Sequence, residues 1–128
     1  MTLLDQLRER VSALQPRPVD AVRIEPVGWH AHRAGVDTLL RSFREVPAGK
    51  RVRLAKKTSN LFRGRSENQV GLDVSGLGGV IEIDPLARTA DVQGMCTYED
   101  LVDATLAHGL MPFVVPQLKT ITLGGAVT

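Results

Sequence analysis

Apolar residues recur along this chain with two different periods. Leu4, Leu7, Val11 and Leu14 stand at the spacing of one helical face, and Pro16 and Pro18 end that run. Residues 19–24 suit a strand or an extended connector, and residues 26–32 read as irregular. Val36, Leu39, Leu40, Phe43 and Val46 form a second helical stripe, closed by Pro47 and Gly49. The period then drops to two. Charged and apolar residues alternate over residues 51–55, which predicts a short strand. Residues 56–68 are polar and basic and read as a loop. Residues 70–74 predict a strand, and Ser75-Gly76-Leu77-Gly78-Gly79 a turn. Residues 80–83 and 89–92 predict a hairpin around Asp84-Pro85.

Thr97 opens the best-signalled helix, with Asp100 three residues on in the manner of a capping box. Leu101, Val102, Thr105 and Leu106 are its predicted buried stripe, and His108 with Gly109 its stop. An apolar stretch, Phe113-Val114-Val115, follows and is broken by Pro116. The chain finishes on Ile121-Thr122-Leu123-Gly124-Gly125-Ala126-Val127-Thr128, a strand-like run entering a glycine pair. Glycines there let a backbone pass close to a ligand, since no Cβ intervenes. The predicted order, helix, helix, strand, loop, three strands, helix and tail, gives a mixed α/β layer fold.

Charge sharpens this reading. Of 16 Lys and Arg residues, 14 lie at or before Arg65, against six of the 14 acids, so the first half is strongly basic and the second acidic. Residues 50–65 hold seven basic side chains and no acid. Such a patch calls for an anionic partner: a phosphate-bearing cofactor, a nucleic acid or a membrane surface. A single cysteine excludes an internal disulfide framework. No signal peptide and no apolar run of membrane-spanning length is visible, and the expected location is the cytoplasm.

Lys56-Lys57-Thr58-Ser59-Asn60-Leu61-Phe62-Arg63 directly follows the predicted strand. Its hydroxyls, amide and ammonium groups suit a diphosphate, although the local pattern alone favours a solvated basic loop. It is not a P-loop, and no Gly-x-Gly-x-x-Gly joins a strand to a helix. His30, His32, Trp29 and Phe62 read as surface or packing residues, with Phe62 also within reach of a bound cofactor. His108 reads as a helix-end residue and Cys96 as a small buried one.

The loop, the Val70-Gly71-Leu72-Asp73-Val74 strand, the hairpin, the helix and the segment from Pro116 to Gly125 occur in an order and spacing that resemble the flavin-binding domain of the vanillyl-alcohol oxidase / p-cresol methylhydroxylase family. Within that family the loop is most similar to the sterol side-chain reductase branch. The resemblance covers residues 50–128, and more weakly the second helix. It implies an α/β (α+β) fold, the first subdomain of a PCMH-type FAD-binding domain. Residues 1–49 would be a helical segment and the start of that domain, and residues 50–128 the first FAD-binding subdomain.

By the same resemblance the FAD diphosphate would be wrapped by Arg53, Leu54, Ala55, Lys56, Lys57, Thr58, Ser59, Asn60 and Phe62, with Val74 as a further contact. Pro116, Gln117, Leu118, Ile121, Thr122, Gly124 and Gly125 would line the isoalloxazine side. Many relatives have Gly-Gly-His-Ser in the loop and some attach flavin through that His. Thr58 stands there in this chain, so FAD is expected to be non-covalent. The family continues beyond the point matching Thr128. The chain is therefore expected to be an N-terminal fragment, inactive alone, with the substrate held by a later domain and no catalytic residue assignable. Its apolar tail is expected to be partly exposed and to self-associate. The alternative is a nucleic-acid-binding module using residues 50–65, disfavoured because Phe62 is the one aromatic there and base stacking needs more; no nucleic-acid partner is therefore expected.

Overall fold

The computed structural model describes residues 2–13, 24–56 and 68–128. Helix α1, Leu3–Ala13, starts on Thr2, whose Oγ1 accepts from the Asp5 amide at 3.2 Å while the Asp5 carboxylate accepts from the Thr2 amide and hydroxyl. Donation into that carboxylate by the Thr2 side chain, then by its backbone, holds the Asp5 pKa below its ordinary value.

Helix α2, Gly28–Arg44, begins well before its apolar stripe, inside the stretch that reads as irregular. Val27 occupies the cap with no side-chain hydrogen bond, so the sequence carries no start signal there. Tertiary contacts hold this first turn instead: the Val27 amide donates to the Val80 carbonyl at 2.8 Å, and the Trp29 indole donates to Glu82 Oε2 at 3.0 Å.

Strands β1, Arg51–Leu54, and β2, Gln69–Leu72, pair in parallel, with Arg51 opposite Gln69 and Leu54 opposite Leu72. A parallel pair needs a crossover of about a dozen residues or more, and the polar run between them supplies that length. Strands β3, Val80–Asp84, and β4, Thr89–Val92, form the predicted antiparallel hairpin, with a register irregularity between Val80 and Glu82. Among the described residues the two strand directions are thus divided between two sheets. Helix α2 lies against β2 and β3, so it bridges both.

Helix α3, Tyr98–Leu106, is capped as the sequence predicts: Thr97 Oγ1 accepts from the Asp100 amide at 3.2 Å. Its buried face is Tyr98, Leu101, Ala104 and Thr105, whereas Leu106, a predicted core position, is 52% exposed. Gly109 closes the end in the left-handed region at φ +68°, as a glycine stop requires. The core consists of Val80, Cys96, Tyr98, Leu101 and Ala104, flanked by Ile24, Ile83, Ala90, Val92, Ile121 and Leu123.

The tail is not a strand. Thr122 makes one antiparallel bridge to Thr97, and a short helix, α4, Leu123–Val127, follows at once. Thr122 caps that helix by accepting from the Gly125 amide at 3.1 Å. Beyond the core-facing Ile121 and Leu123, the predicted exposure of the tail region is found. Phe113, Val114, Val115, Leu118 and Val127 are all exposed. Among the described residues no helix is long and apolar enough to cross a membrane.

Candidate functional site

The carboxyl ends of parallel strands are where open α/β sheets take ligands, because the chain leaves there in loops free to wrap them. In this fold that end is built by Leu54 and Leu72. Past them the Ala55 amide donates to the Leu72 carbonyl at 2.9 Å, and the Lys56 amide turns back to Leu54 at 2.9 Å. Arg53, Leu54, Ala55 and Lys56 are all exposed. A Cβ on Gly71 would stand 3.0 Å from the Ala55 Cβ and 3.5 Å from the Arg53 guanidinium carbon, so the smallness of Gly71 keeps β1 and its arginine close over β2. Lys57, Thr58, Ser59, Asn60 and Phe62 lie outside the described residues.

Directly after β2, the Asp73 amide donates to Ser42 Oγ on α2 at 3.0 Å, anchoring this strand end to the helix. The Asp73 carboxylate accepts from the Ser75 hydroxyl at 2.6 Å and from its amide at 3.0 Å. These bonds, the side-chain one foremost, lower its pKa, so it stays ionised at neutral pH. An anion fixed beside this loop means that the cations Arg53 and Lys56 must carry the attraction for any phosphate. Val74 follows, 6% exposed, its side chain packed in protein.

The tail segment is held at a second place. The Tyr98 amide donates to Ile121 O at 3.0 Å, the Leu123 amide to Cys96 O at 2.8 Å and the Gly124 amide to Gly94 O at 2.8 Å. Lys119 forms an exposed ion pair with Glu99 at 3.0 Å. Pro116 is half-buried, Gln117 and Leu118 are exposed, Ile121 packs against the core, and Thr122 is the helix cap. A Cβ on Gly124 would come within 2.8 Å of the Gly94 carbonyl oxygen. The bare Cα of Gly124 therefore meets protein backbone, whereas Gly125 is exposed and has only the Thr122 hydroxyl nearby, 3.0 Å from where its Cβ would be.

Among the described residues no hydrogen bond or ion pair joins residues 53–56 to residues 116–125. A backbone relay connects them. The Leu77 amide donates to Val74 O at 3.0 Å, the Met95 amide donates to Leu77 O at 3.0 Å, and Gly94 next door receives Gly124. The residue that fixes this relay, Gln93, has no role in the sequence reading. It is 3% exposed, its Oε1 accepts from the Gly79 amide at 2.7 Å and its Nε2 donates to the Gly76 carbonyl at 3.0 Å. No local pattern marks it, because its partners lie 14 and 17 residues away on a turn. Cys96 is fully buried, and burial, with the Asp100 charge adding to it, pushes its thiol up to about 11, so it serves packing and not chemistry.

Comparison with known proteins identifies the family. The family model described as an FAD binding domain matches residues 32–128. Decaprenylphosphoryl-beta-D-ribose oxidase from Mycolicibacterium smegmatis is 30% identical over 86 residues, which is 66% of this chain and 19% of the relative. The chain thus spans about a fifth of the length of that curated protein. No solved structure matches the chain.

Proposed function

The chain belongs to the FAD binding domain family, and from that premise we propose that it supplies part of the FAD site of an FAD-dependent oxidoreductase, holding the cofactor non-covalently. FAD is the cofactor of this family. The observation that carries the local assignment is the exposed, cationic carboxyl end of the parallel β1–β2 pair inside the matched region. Arg53 and Lys56, continued by Lys57, Thr58, Ser59 and Asn60, offer charge and hydrogen bonds of the kind a diphosphate takes. The donor set fits that group. On the other side, Gln117, Leu118, Thr122 and Gly125 would face the isoalloxazine, while Ile121 and Gly124 hold the tail in place and Val74 supports the turn between. Thr58 offers no imidazole for a covalent link to flavin.

When bound, the flavin supplies two-electron redox chemistry, and the protein supplies binding, orientation and electrostatics. Similarity to a protein named as an oxidase supports hydride transfer from an organic substrate to the flavin. Substrate would be held by parts of the protein beyond these residues, as the relative's greater length suggests. The test is the visible spectrum of the purified protein carrying this domain, before and after acid precipitation. Flavin bands that pass into the supernatant are expected. A folded, colourless protein that takes up no added FAD overturns the proposal, and flavin retained in the precipitate overturns its non-covalent part.

A further inference from the structure

The Gln93 amide can stand in only one orientation. Its oxygen receives the Gly79 amide at 2.7 Å, and its nitrogen gives one hydrogen to the Gly76 carbonyl at 3.0 Å. Flipping the amide would set oxygen against oxygen and N–H against N–H at both places. The second hydrogen on Nε2 is then directed by default to its remaining neighbour, His32 Nδ1, at 3.2 Å. That nitrogen must accept, which fixes His32 as the neutral, Nε2-protonated tautomer. The ring is further held edge-on to Trp29, with centroids 5.7 Å apart and planes at 89°.

We propose that His32 is a proton-sensitive latch: neutral, it ties helix α2 through Gln93 to the Gly76–Gly79 turn, and protonated, it releases that tie. A proton on Nδ1 places two donors face to face. Gln93 cannot answer by flipping, because it would give up two backbone bonds to recover one. The ring cannot answer by rotating, because a carbon then replaces Nδ1. The turn at stake joins the two sheets, and its Leu77 carbonyl receives Met95 at the head of the relay to Gly124.

Among the described residues no carboxylate pairs with the His32 ring. On β3, Glu82 is engaged by the Trp29 indole, and Asp84 accepts from the Leu86 and Ala87 amides of its own turn. Strand β2 carries no titratable side chain, and Asp73 beyond it is bound by Ser75. On α2 itself, Arg33 donates to the Trp29 carbonyl and adds positive charge.

The tautomer is read directly by nitrogen-15 imidazole spectra of the purified protein at neutral pH. The expected pattern is unprotonated Nδ1 and protonated Nε2 for His32, and a protonated Nδ1 overturns the proposal. The latch is read by thermal unfolding at about pH 7.5 and about pH 5.5 in the wild type and in His32→Asn. The Asn oxygen can accept from Gln93 in place of Nδ1 but does not titrate. The wild-type midpoint is expected to fall by about 3–5 °C on acidification, and the variant by less than half as much. Equal falls in the two proteins overturn the latch, as does a wild type whose midpoint does not move. If the variant does not fold, loss of the His32–Gln93 coupling on acidification is read from the wild-type spectra, and its persistence in the imidazolium form overturns the latch.

Discussion

Gly35 and Gly76 touch backbone to backbone: the carbonyl oxygen of Gly76 fills the space a Cβ on Gly35 would need, and the carbonyl carbon would be only 2.8 Å from it. Gly35 is the buried residue of α2. The contact is made at the turn that Gln93 clamps, so the helix is seated on the turn by two glycines and locked there by one amide.

Gly35→Ala should therefore destabilise the fold by about 2–4 kcal/mol, since the obstacle is a backbone carbonyl and not a side chain that can swing away. Gly94→Ala is the contrast. A Cβ there meets nothing within 4 Å, and the residue is not in the left-handed region. It should be neutral or stabilise by up to about 1 kcal/mol through the unfolded chain. Urea unfolding of both variants checks the pair, and similar losses would show that the close seat at Gly76 is not what Gly35 provides.

This contact marks the limit of what the sequence discloses. The hairpin, the Thr97 cap and the Gly109 stop were legible because each is written in residues within one turn of one another. The start of α2 was not, because Val27 carries no capping side chain and its turn is held by Val80 and Glu82, more than fifty residues away. The tail misled through composition. Ile121 and Thr122 are strand formers, but Thr122 acts as a helix cap and turns the glycine pair into the first turn of α4. Gly124 read as a place for a ligand, and its missing side chain is needed by the Gly94 carbonyl. In the candidate cofactor loop, the predicted strand is found to end at Leu54, with Arg53 and Lys56 exposed beside it. Gln93 and Ser42, which position that region, were silent because a buried polar side chain shows its purpose only through distant partners.

Thr97 stands where two structures meet: its hydroxyl caps α3, and the residues on either side of it bond across to the tail, the Tyr98 amide to Ile121 O and the Leu123 amide to Cys96 O. Thr97→Ala should cost about 1 kcal/mol from the lost cap, while Thr97→Ser keeps the oxygen and most of the stability. Denaturation midpoints of the two variants check this. An Ala variant as stable as the wild type would mean that the backbone bridge alone starts the helix.

Cys96 gives a pH dependence with a definite sign. Its thiol is pushed up to about 11 in the fold by burial and by Asp100, against about 8.5 for a free thiol. The folded protein therefore keeps its proton over a range in which the unfolded chain loses it. This contribution to stability is complete below about pH 8 and fades as pH rises through 9 toward 11. Unfolding free energies at about pH 7.5 and 9.5 should show that loss in the wild type and a smaller one in Cys96→Ala. Alkylation of Cys96 in the native protein should proceed only as fast as the protein opens. Rapid alkylation under native conditions would contradict the buried thiol.

The cations at the end of β1 carry the sharpest functional consequence. Asp73 remains ionised nearby, held so by Ser75, so a diphosphate in this loop gains its attraction from Arg53, Lys56 and the basic residues that follow. Lys56→Glu reverses a charge at the strand end without touching the core, since Lys56 is exposed and its amide, which any residue retains, makes the turn to Leu54. Charged hydrogen bonds of this kind are worth about 1.5–3 kcal/mol, so the FAD dissociation constant should rise by about tenfold or more while the melting temperature of the apoprotein stays within about 1–2 °C. Arg8→Glu makes the same change in net charge on the exposed face of α1 and separates local contact from the long-range field of the basic half. Among the described residues Arg8 shares no hydrogen bond or ion pair with residues 53–56, so the change should move the constant less than about threefold at moderate salt, which screens the diffuse field of the basic half. Flavin-fluorescence titrations of the three proteins decide the matter. Equal affinities for wild type and Lys56→Glu would place the diphosphate away from the β1 end, and equal weakening by the two variants would reduce the patch to a diffuse attraction.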